Sequence, residues 1–269
     1  MAKRTFSHKS FRRSYREDYR REFDVPSIAE HIVKSFGMIF KNWQLFLPLL
    51  LIVVAASFLT IGATDFFTGA ATDVFVVLFF MVIWLVTIFL LRQIMAGHKV
   101  SLRDGLYNAM TPLISTIVIF MVVTVQCIPI ILVIIAYTAA VQTDFLAMPF
   151  YALLFFVFAS LMVLISGYFL SSSLIALIAV TAPGIHPMHA LRAAAELVNG
   201  SRIRFVLRIM AVILVLGVIW SISILPLTVL KIPSIILTIV ITIVLCFDCI
   251  YMTTYLYLYY RYLLDNEEK

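Results

Sequence analysis

The chain has 269 residues, of which 63% are hydrophobic and only 13% are charged, and its formal net charge is +6. Soluble domains carry about 45–50% apolar and about 25% charged residues, so this composition excludes most soluble enzymes, nucleic-acid-binding domains and disordered proteins. Lipid must supply part of the solvent for the folded chain. The three cysteines, Cys127, Cys246 and Cys249, all lie inside apolar runs, which argues against a secreted disulfide framework.

Residues 1–26 form a basic, aromatic arm ahead of the first apolar run. The arm lacks the short apolar stretch of a signal peptide, so we expect the first membrane span to act as an uncleaved insertion signal. Its aromatic residues recur every four positions among arginines, a spacing that gathers them on one stripe of a helix. The residues concerned are Phe11, Tyr15, Tyr19 and Phe23, with Arg12, Arg13, Arg16, Arg20 and Arg21.

Three interpretations of this arm are open. The five arginines are candidate contacts to anionic lipid headgroups, at roughly 1 kcal/mol for each basic residue near the surface. Arginine interleaved with aromatic residues also suits contact with RNA or the ribosome, through phosphate binding and base stacking. The third interpretation is a solvated tail that only helps to orient the first span. We favour the lipid surface.

Six apolar runs follow, each long enough to cross a bilayer as a helix. They cover residues 42–62, 74–95, 112–138, 150–181, 204–229 and 234–259. Their continuity favours helices, because the strands of a membrane barrel would alternate in polarity. The sequence therefore predicts an all-α, polytopic membrane protein, with a six-span domain over residues 27–262 and a short cytoplasmic tail over 263–269.

Basic residues are divided unevenly between the two sides of this predicted bundle. Nineteen of the twenty Lys and Arg residues fall in the N-terminal segment, the connections after spans two and four, and the C-terminus. These regions share one side if the number of spans is even, and only Lys231 lies on the other side. Because basic residues accumulate on the cytoplasmic side, both termini are predicted to be cytoplasmic, in a bacterial cytoplasmic membrane.

A short amphipathic segment precedes spans one, three and five, around residues 27–36, 100–107 and 188–198. In the first segment the apolar face consists of Ile28, Ile32, Val33 and Phe36. Each segment is expected to form a helix that lies in the membrane interface with its apolar face towards the lipid. Interfacial helix, span, short turn and span thus recur three times, which predicts three helical-hairpin repeats with their interfacial helices on the cytoplasmic side.

The segment from Ala190 to Phe205, ALRAAAELVNGSRIRF, resembles the segment before span five in a broad group of bacterial six-span proteins. That group includes the membrane domain fused to some glycerophosphoryl diester phosphodiesterases and its stand-alone relatives, many of which have an aromatic residue where Ile203 stands. The resemblance implies the fold and the membrane location. It does not imply the phosphodiesterase activity, because the fused enzymes carry their catalytic carboxylates and histidines in a separate soluble barrel.

Asp248 is the only acidic residue well inside a predicted span. A charge at that depth costs about 3 kcal/mol or more unless it is paired or hydrated, so Asp248 is a candidate functional residue. Gln126 is its best candidate partner in an intramembrane polar site, with Thr124 and Ser171–Ser173 behind it. Alternatively, Asp248 stays protonated or bonds to a neighbouring helix as a packing contact.

Other reactive side chains form no recognisable catalytic or metal-binding pattern. Cys246 and Cys249 share one helix face but lack a third and a fourth ligand, and the five histidines match no metal motif. The sequence also shows no paired carboxylates and no nucleophile–base pair of the kind that catalysis requires. We therefore expect no enzyme activity, no cofactor and no bound metal.

Two functions remain. The favoured one is a non-enzymatic scaffolding, envelope or lipid-homeostasis role in the cytoplasmic membrane. The alternative is a small transporter or permease subunit whose path includes Asp248 and Gln126. Besides anionic lipid, the expected partners are other membrane proteins or further copies of the chain.

Overall fold

The computed structural model describes residues 27–63, 70–98, 101–143, 145–182, 184–230 and 233–267. These ranges contain nine α-helices, one short 3-10 helix at Phe145–Ala147 and no strand, which confirms the all-helical class. The α-helices are α1 (Ile28–Lys41), α2 (Trp43–Ala63), α3 (Ala70–Met95), α4 (Leu102–Ala109), α5 (Leu113–Gln142), α6 (Pro149–Ala179), α7 (Pro187–Leu197), α8 (Arg202–Val229) and α9 (Ser234–Glu267).

Five of these helices, α3, α5, α6, α8 and α9, are long and apolar enough to cross a membrane. A sixth candidate is the pair α1 and α2, whose axes meet at 86°. Within that pair, α2 is the uniformly apolar helix and coincides with the first predicted span, while α1 is amphipathic and precedes that predicted span. The described helices are those of a multi-pass membrane protein.

The short helices α1, α4 and α7 begin at residues suited to helix starts. The side chain of Ser27 accepts a hydrogen bond from the backbone N–H of Glu30, and Ser101 accepts one from the N–H of Asp104, each at 3.2 Å. Such caps satisfy N–H groups that the first helical turn leaves unpaired. Pro187 opens α7, where its missing N–H costs no helical hydrogen bond.

The C-terminal helix α9 is central to the fold, since it contacts α1, α2, α3, α6, α7 and α8. Its buried stretch Ile250–Tyr259 packs with the last turns of α3 and α6 to form most of the core. The core therefore lies towards one end of the bundle, where α3, α6 and α9 finish and α8 begins. We call this the basic end, because Arg92, Arg208 and Arg261 lie there.

Away from the basic end the helices pack more sparsely. Most large apolar side chains of α5, of the first half of α6 and of α8 are exposed, among them Ile128, Leu132, Phe156, Leu164, Leu214 and Ile222. In a bilayer these side chains contact lipid at no solvation cost, because lipid tails are as apolar as the side chains. Extended lipid-facing surfaces therefore accompany the compact basic end.

The helix α1 packs against the bundle through polar and apolar side chains together. His31, Ser35 and Ile39 are buried, and Ile32 and Phe36 are partly buried against the core. Val33, on the face predicted to meet lipid, is 68% exposed. Contact of that face with lipid stays a prediction.

The last helix is also longer than expected. It continues to Glu267, beyond the predicted span end at 259, so residues 263–267 are helical. At 1.5 Å per residue its 34 residues extend about 51 Å, against roughly 30 Å of hydrocarbon. Packing accounts for the extension, since the ring of Tyr259 lies 5.0 Å from that of Phe205 on α8 and Leu263 is buried.

Candidate functional site

Asp248 lies well inside α9, about 21 Å from the start of the helix at 1.5 Å per residue. The indole Nε1–H of Trp220, on the neighbouring helix α8, donates a hydrogen bond to Oδ2 of Asp248. The other carboxyl oxygen, Oδ1, is buried and has no hydrogen-bond partner among the described residues. The carboxyl group therefore links α8 to α9 through one of its two oxygens.

This partner limits the chemistry that Asp248 can perform. An indole N–H can donate a hydrogen bond but cannot accept one, so Trp220 cannot receive a proton from the carboxyl group. A proton relay needs a partner that both accepts and donates. The contact instead matches the packing alternative, in which an acid in a span bonds to the adjacent helix.

Sequence reasoning overlooked Trp220 as the partner of Asp248. The available signal was that Trp220 is the one tryptophan of α8, and that a buried indole N–H usually finds an acceptor. The orientation of α8 relative to α9 decides whether that acceptor is Asp248. Hydropathy does not carry this information.

Gln126, the expected partner of Asp248, is in contact with α6. The hydroxyl of Ser166 donates to the backbone carbonyl of Gln126 at 2.5 Å. The side-chain oxygen Oε1 of Gln126 is buried without a hydrogen-bond partner in the described part of the chain. Gln126 thus belongs to the α5–α6 contact.

Contacts with α8 indicate that Gln126 and Asp248 lie at different levels of the bundle. Trp220 of α8 contacts Asp248, whereas a Cβ placed on Gly167, next to Ser166, would lie 3.4 Å from Val206 of α8. From residue 206 to residue 220 an α-helix rises about 21 Å. The recorded contacts do not bring Gln126 to Asp248, and a polar site shared by the two stays a prediction.

The hydroxyl groups expected behind this site mostly bond to their own helices. Thr124 donates to the carbonyl of Phe120 at 3.0 Å, and Ser171 donates to that of Tyr168 at 2.7 Å. Ser172 donates to the carbonyl of Phe169 at 3.0 Å, whereas Ser173 is buried with its hydroxyl oxygen unbonded within the described ranges. Hydroxyls that bond back to their own helix supply no ligands to a shared site.

Thiols and cavities add no second chemical centre near Asp248. The Sγ of Cys246 lies 3.7 Å from the hydroxyl of Ser57, and no group of three His, Cys, Asp or Glu side chains among the described residues could hold a metal ion. A small cavity of about 30 Å³ lies at the basic end beside Arg92 and Thr181. An open groove runs along α4. Asp248 lines neither of them.

Arg92 joins two span ends beside that small cavity. Its Nη1 donates to the backbone carbonyl of Thr181 at 3.0 Å, and its Nη2 donates to the Oγ1 of Thr181 at 2.8 Å. Because two N–H groups are used at once, the contact fixes the direction of the guanidinium as well as its position. Arg92 therefore ties the end of α3 to the end of α6.

An aromatic cluster around His31 occupies the basic end. The His31 ring packs edge-on against Tyr255 at 4.7 Å and against Tyr259 at 6.0 Å between ring centroids. Its Nε2 lies 3.4 Å from the backbone carbonyl of Tyr255, within hydrogen-bonding distance. Desolvation lowers the pKa of His31 to about 4; the Tyr255 carbonyl raises it, and the positive charge of Arg208 lowers it further. His31 is therefore neutral at pH 7.

The arginine arm predicted to contact lipid, with Arg12, Arg13, Arg16, Arg20 and Arg21, lies outside the described residues, as does Lys231. Comparison with known proteins gives no significant match: no family model, no curated protein and no solved structure is similar to the chain. The likeness to the bacterial six-span group stays a prediction that depends on the segment Ala190–Phe205.

Proposed function

We propose that this protein is a non-enzymatic integral protein of a bacterial cytoplasmic membrane, with a scaffolding, envelope or lipid-homeostasis role. The hydrogen bond from Trp220 to Asp248 is the observation that carries the proposal. The acid deepest in a span is used to join two helices, and its partner cannot accept a proton. The broad lipid-facing surfaces of α5, α6 and α8 support a role in contact with lipid.

The proposed architecture consists of three hairpins, α2–α3, α5–α6 and α8–α9, inserted in the same orientation with both termini cytoplasmic. Its support is that the helices of each pair contact each other and that a short helix, α1, α4 or α7, precedes each pair. The proposed orientation follows from the basic residues, nineteen of which fall in regions that share one side. The likeness to the bacterial six-span group fits the same arrangement.

A second candidate function is transport through a path that includes Asp248. The observation in its favour is the carboxyl oxygen Oδ1, which is buried without a hydrogen-bond partner in the described part of the chain. A proton or a small cation bound at that oxygen would satisfy it. In the transport function a proton or a small cation binds to Oδ1 of Asp248 and leaves it again, whereas in the scaffold function it does not.

Flux through reconstituted protein separates these two functions. The full chain is incorporated into vesicles that contain a pH-sensitive dye, and a potassium diffusion potential is applied in Na⁺ and K⁺ buffers. For a scaffold we expect wild type and Asp248→Asn to leak no faster than vesicles without protein. A wild-type flux that Asp248→Asn abolishes would contradict the scaffold and establish transport.

Stability measurements test whether the Trp220–Asp248 contact joins the helices. Trp220→Phe removes the N–H donor and keeps a ring, so we expect the free energy of unfolding in detergent to fall by about 1 kcal/mol. Asp248→Asn keeps an acceptor oxygen and should cost less. In the double variant the losses should not add, because both changes affect one bond.

Trp84→Phe is the matched control for Trp220→Phe. Trp84 is also an indole in a span, but its Nε1 is buried without a hydrogen-bond partner in the described part of the chain. Removing an unbonded N–H should not reduce stability through hydrogen bonding. If Trp84→Phe and Trp220→Phe cost the same, loss of ring volume explains both, and the bond to Asp248 has no special role.

A further inference from the structure

Arg202, in the first turn of α8, stacks on an aromatic ring of another span. Its guanidinium carbon lies 4.6 Å from the ring centroid of Tyr168 on α6. The Nε of Arg202 is buried and makes no hydrogen bond with any described residue. The cation–π contact holds the guanidinium beside the ring of Tyr168. Because Nε is buried, the Nη groups are the donors that a ligand can reach.

The surface around this pair is apolar and open. Tyr168 is 46% exposed and Ile203 is 73% exposed, and Phe169 and Leu207 are exposed beside them. A bilayer places acyl chains on such a surface, and it places tyrosines and arginines at the level of the lipid headgroups. The start of α8 thus combines a hydrocarbon-facing surface with a cation.

The helices α6 and α8 are in contact beside this pair. A Cβ placed on Gly167, next to Tyr168, would lie 3.4 Å from Cγ1 of Val206, which is an ordinary van der Waals distance. Tyr168 itself is 46% exposed, so its ring can be approached from outside the contact between the two helices.

We propose that Arg202 and Tyr168 form a binding site for the phosphate of an anionic phospholipid, whose acyl chains lie on the exposed faces of α6 and α8. Guanidinium groups bind phosphate through paired N–H donors. In Arg202 the two Nη groups supply that pair, because Nε is buried and a ligand cannot reach it. The headgroup of phosphatidylglycerol carries no positive charge, so the negative charge of its phosphate is not compensated within the lipid. None of the residues of the proposed site belongs to the basic arm of residues 1–26.

The lipid site depends on the proposed location in a membrane but not on the proposed scaffold role. Experiments can therefore contradict the site and the scaffold role separately. If the flux experiment reveals transport while lipid binding still depends on Arg202, the scaffold role is wrong and the lipid site stands. If no flux occurs and binding does not depend on Arg202, the site is wrong and the scaffold role is unaffected.

Binding of short-chain lipids to the purified full chain tests this site. Dioctanoyl-phosphatidylglycerol is titrated against the protein in neutral detergent, and binding is followed by native mass spectrometry. Salt at about 0.3 M screens long-range attraction to basic side chains elsewhere in the chain. We expect Arg202→Gln to weaken binding roughly tenfold, as expected for loss of one charge-assisted contact. Unchanged binding by Arg202→Gln would overturn the site.

Arg261→Gln is the matched control, since Arg261 is an exposed arginine at the end of α9. It should bind phosphatidylglycerol as the wild type does, and an equal loss would show diffuse attraction in place of a site. Dioctanoyl-phosphatidylcholine should bind more weakly than the anionic lipid, and equal binding would contradict selection for negative charge. Inorganic phosphate at the same concentration should not compete, and full competition would identify a free-phosphate site.

A second variant tests the site with Arg202 intact. Ile203→Trp places a fluorophore beside the guanidinium at an exposed position, where substitution does not disturb packing. Brominated phosphatidylglycerol should quench the added fluorescence more strongly than brominated phosphatidylcholine does. Equal quenching by the two lipids would contradict the proposal, whether or not Arg202→Gln folds.

Discussion

A histidine packed among tyrosines must be neutral to remain buried there. His31 is 3% exposed and its pKa in the folded protein is about 4, whereas the pKa of a histidine in an unfolded chain is about 6.5. Below pH 6.5 the unfolded chain takes up a proton that the folded protein does not. The stability contributed by neutral His31 is therefore complete above pH 6.5 and is lost as the pH falls towards 4, by at most about 3 kcal/mol.

We predict that the melting temperature of the wild type falls between pH 6.5 and pH 4 and that His31→Gln reduces this dependence. Glutamine stays neutral and keeps an N–H that can reach the Tyr255 carbonyl, so its cost at pH 7 should be small. Thermal unfolding in detergent at several pH values measures both effects. Carboxylates elsewhere titrate equally in both proteins, so equal pH dependence in wild type and variant would show that His31 is not responsible.

At the scale of the element, α7 shows how a short amphipathic helix is held at the basic end. Ala190, Ala194 and Val198 are fully buried, and α7 packs mainly against α6. Small side chains spaced four residues apart allow the two backbones to come close. The opposite face, with Arg192 and Ala193, is exposed.

Two adjacent alanines test this packing. Ala194→Leu inserts three carbon atoms into a filled contact, so we expect it to reduce the free energy of unfolding by about 1–3 kcal/mol. Ala193→Leu adds the same atoms on the exposed face and should change stability by less than about 0.5 kcal/mol. Chemical unfolding in detergent compares the two variants. Equal losses would mean that the buried face of α7 is not closely packed.

At the scale of the whole molecule, α9 connects nearly every part of the bundle, and its far end is enclosed by α1, α3, α7 and α8. The positive-inside rule predicts that this basic end faces the cytoplasm. If the bundle were inserted the other way round, all its basic connections would change side together. Orientation is therefore a property of the inserted bundle as a whole.

Cysteine labelling tests that orientation. Arg261→Cys lies near the end of α9, and Met148→Cys lies between α5 and α6, at the opposite end of the bundle; both positions are exposed. We predict that an impermeant maleimide labels Met148→Cys in intact cells and labels Arg261→Cys only in inverted vesicles. The wild type is the control, since its three cysteines lie within helices of the spans. Labelling of both variants from one side would contradict the three spans, α6, α8 and α9, that separate the two positions.

Much of the fold can be predicted from local sequence. Predicted span starts at 112, 150, 204 and 234 lie within two residues of the observed helix starts. The capping role of Ser27 also follows from its position three residues before Glu30. In contrast, the candidate site was predicted only in part, because Asp248 was recognised while its partner Trp220 was not. Their contact depends on how α8 and α9 are rotated and shifted against each other.

The sequence by itself determined that this is an all-helical membrane protein and where most of its long apolar helices begin. Each apolar run must satisfy its own backbone hydrogen bonds in lipid and therefore forms a helix. The length of a run and the placement of charges thus suffice to predict that it spans the membrane. Only the tertiary structure decided that Asp248 bonds to Trp220, that α1 is buried through His31 and Ser35, and that Arg202 stacks on Tyr168. Lipid and protein are equally apolar neighbours for a span, so hydropathy does not distinguish the face that packs from the face that lipid covers.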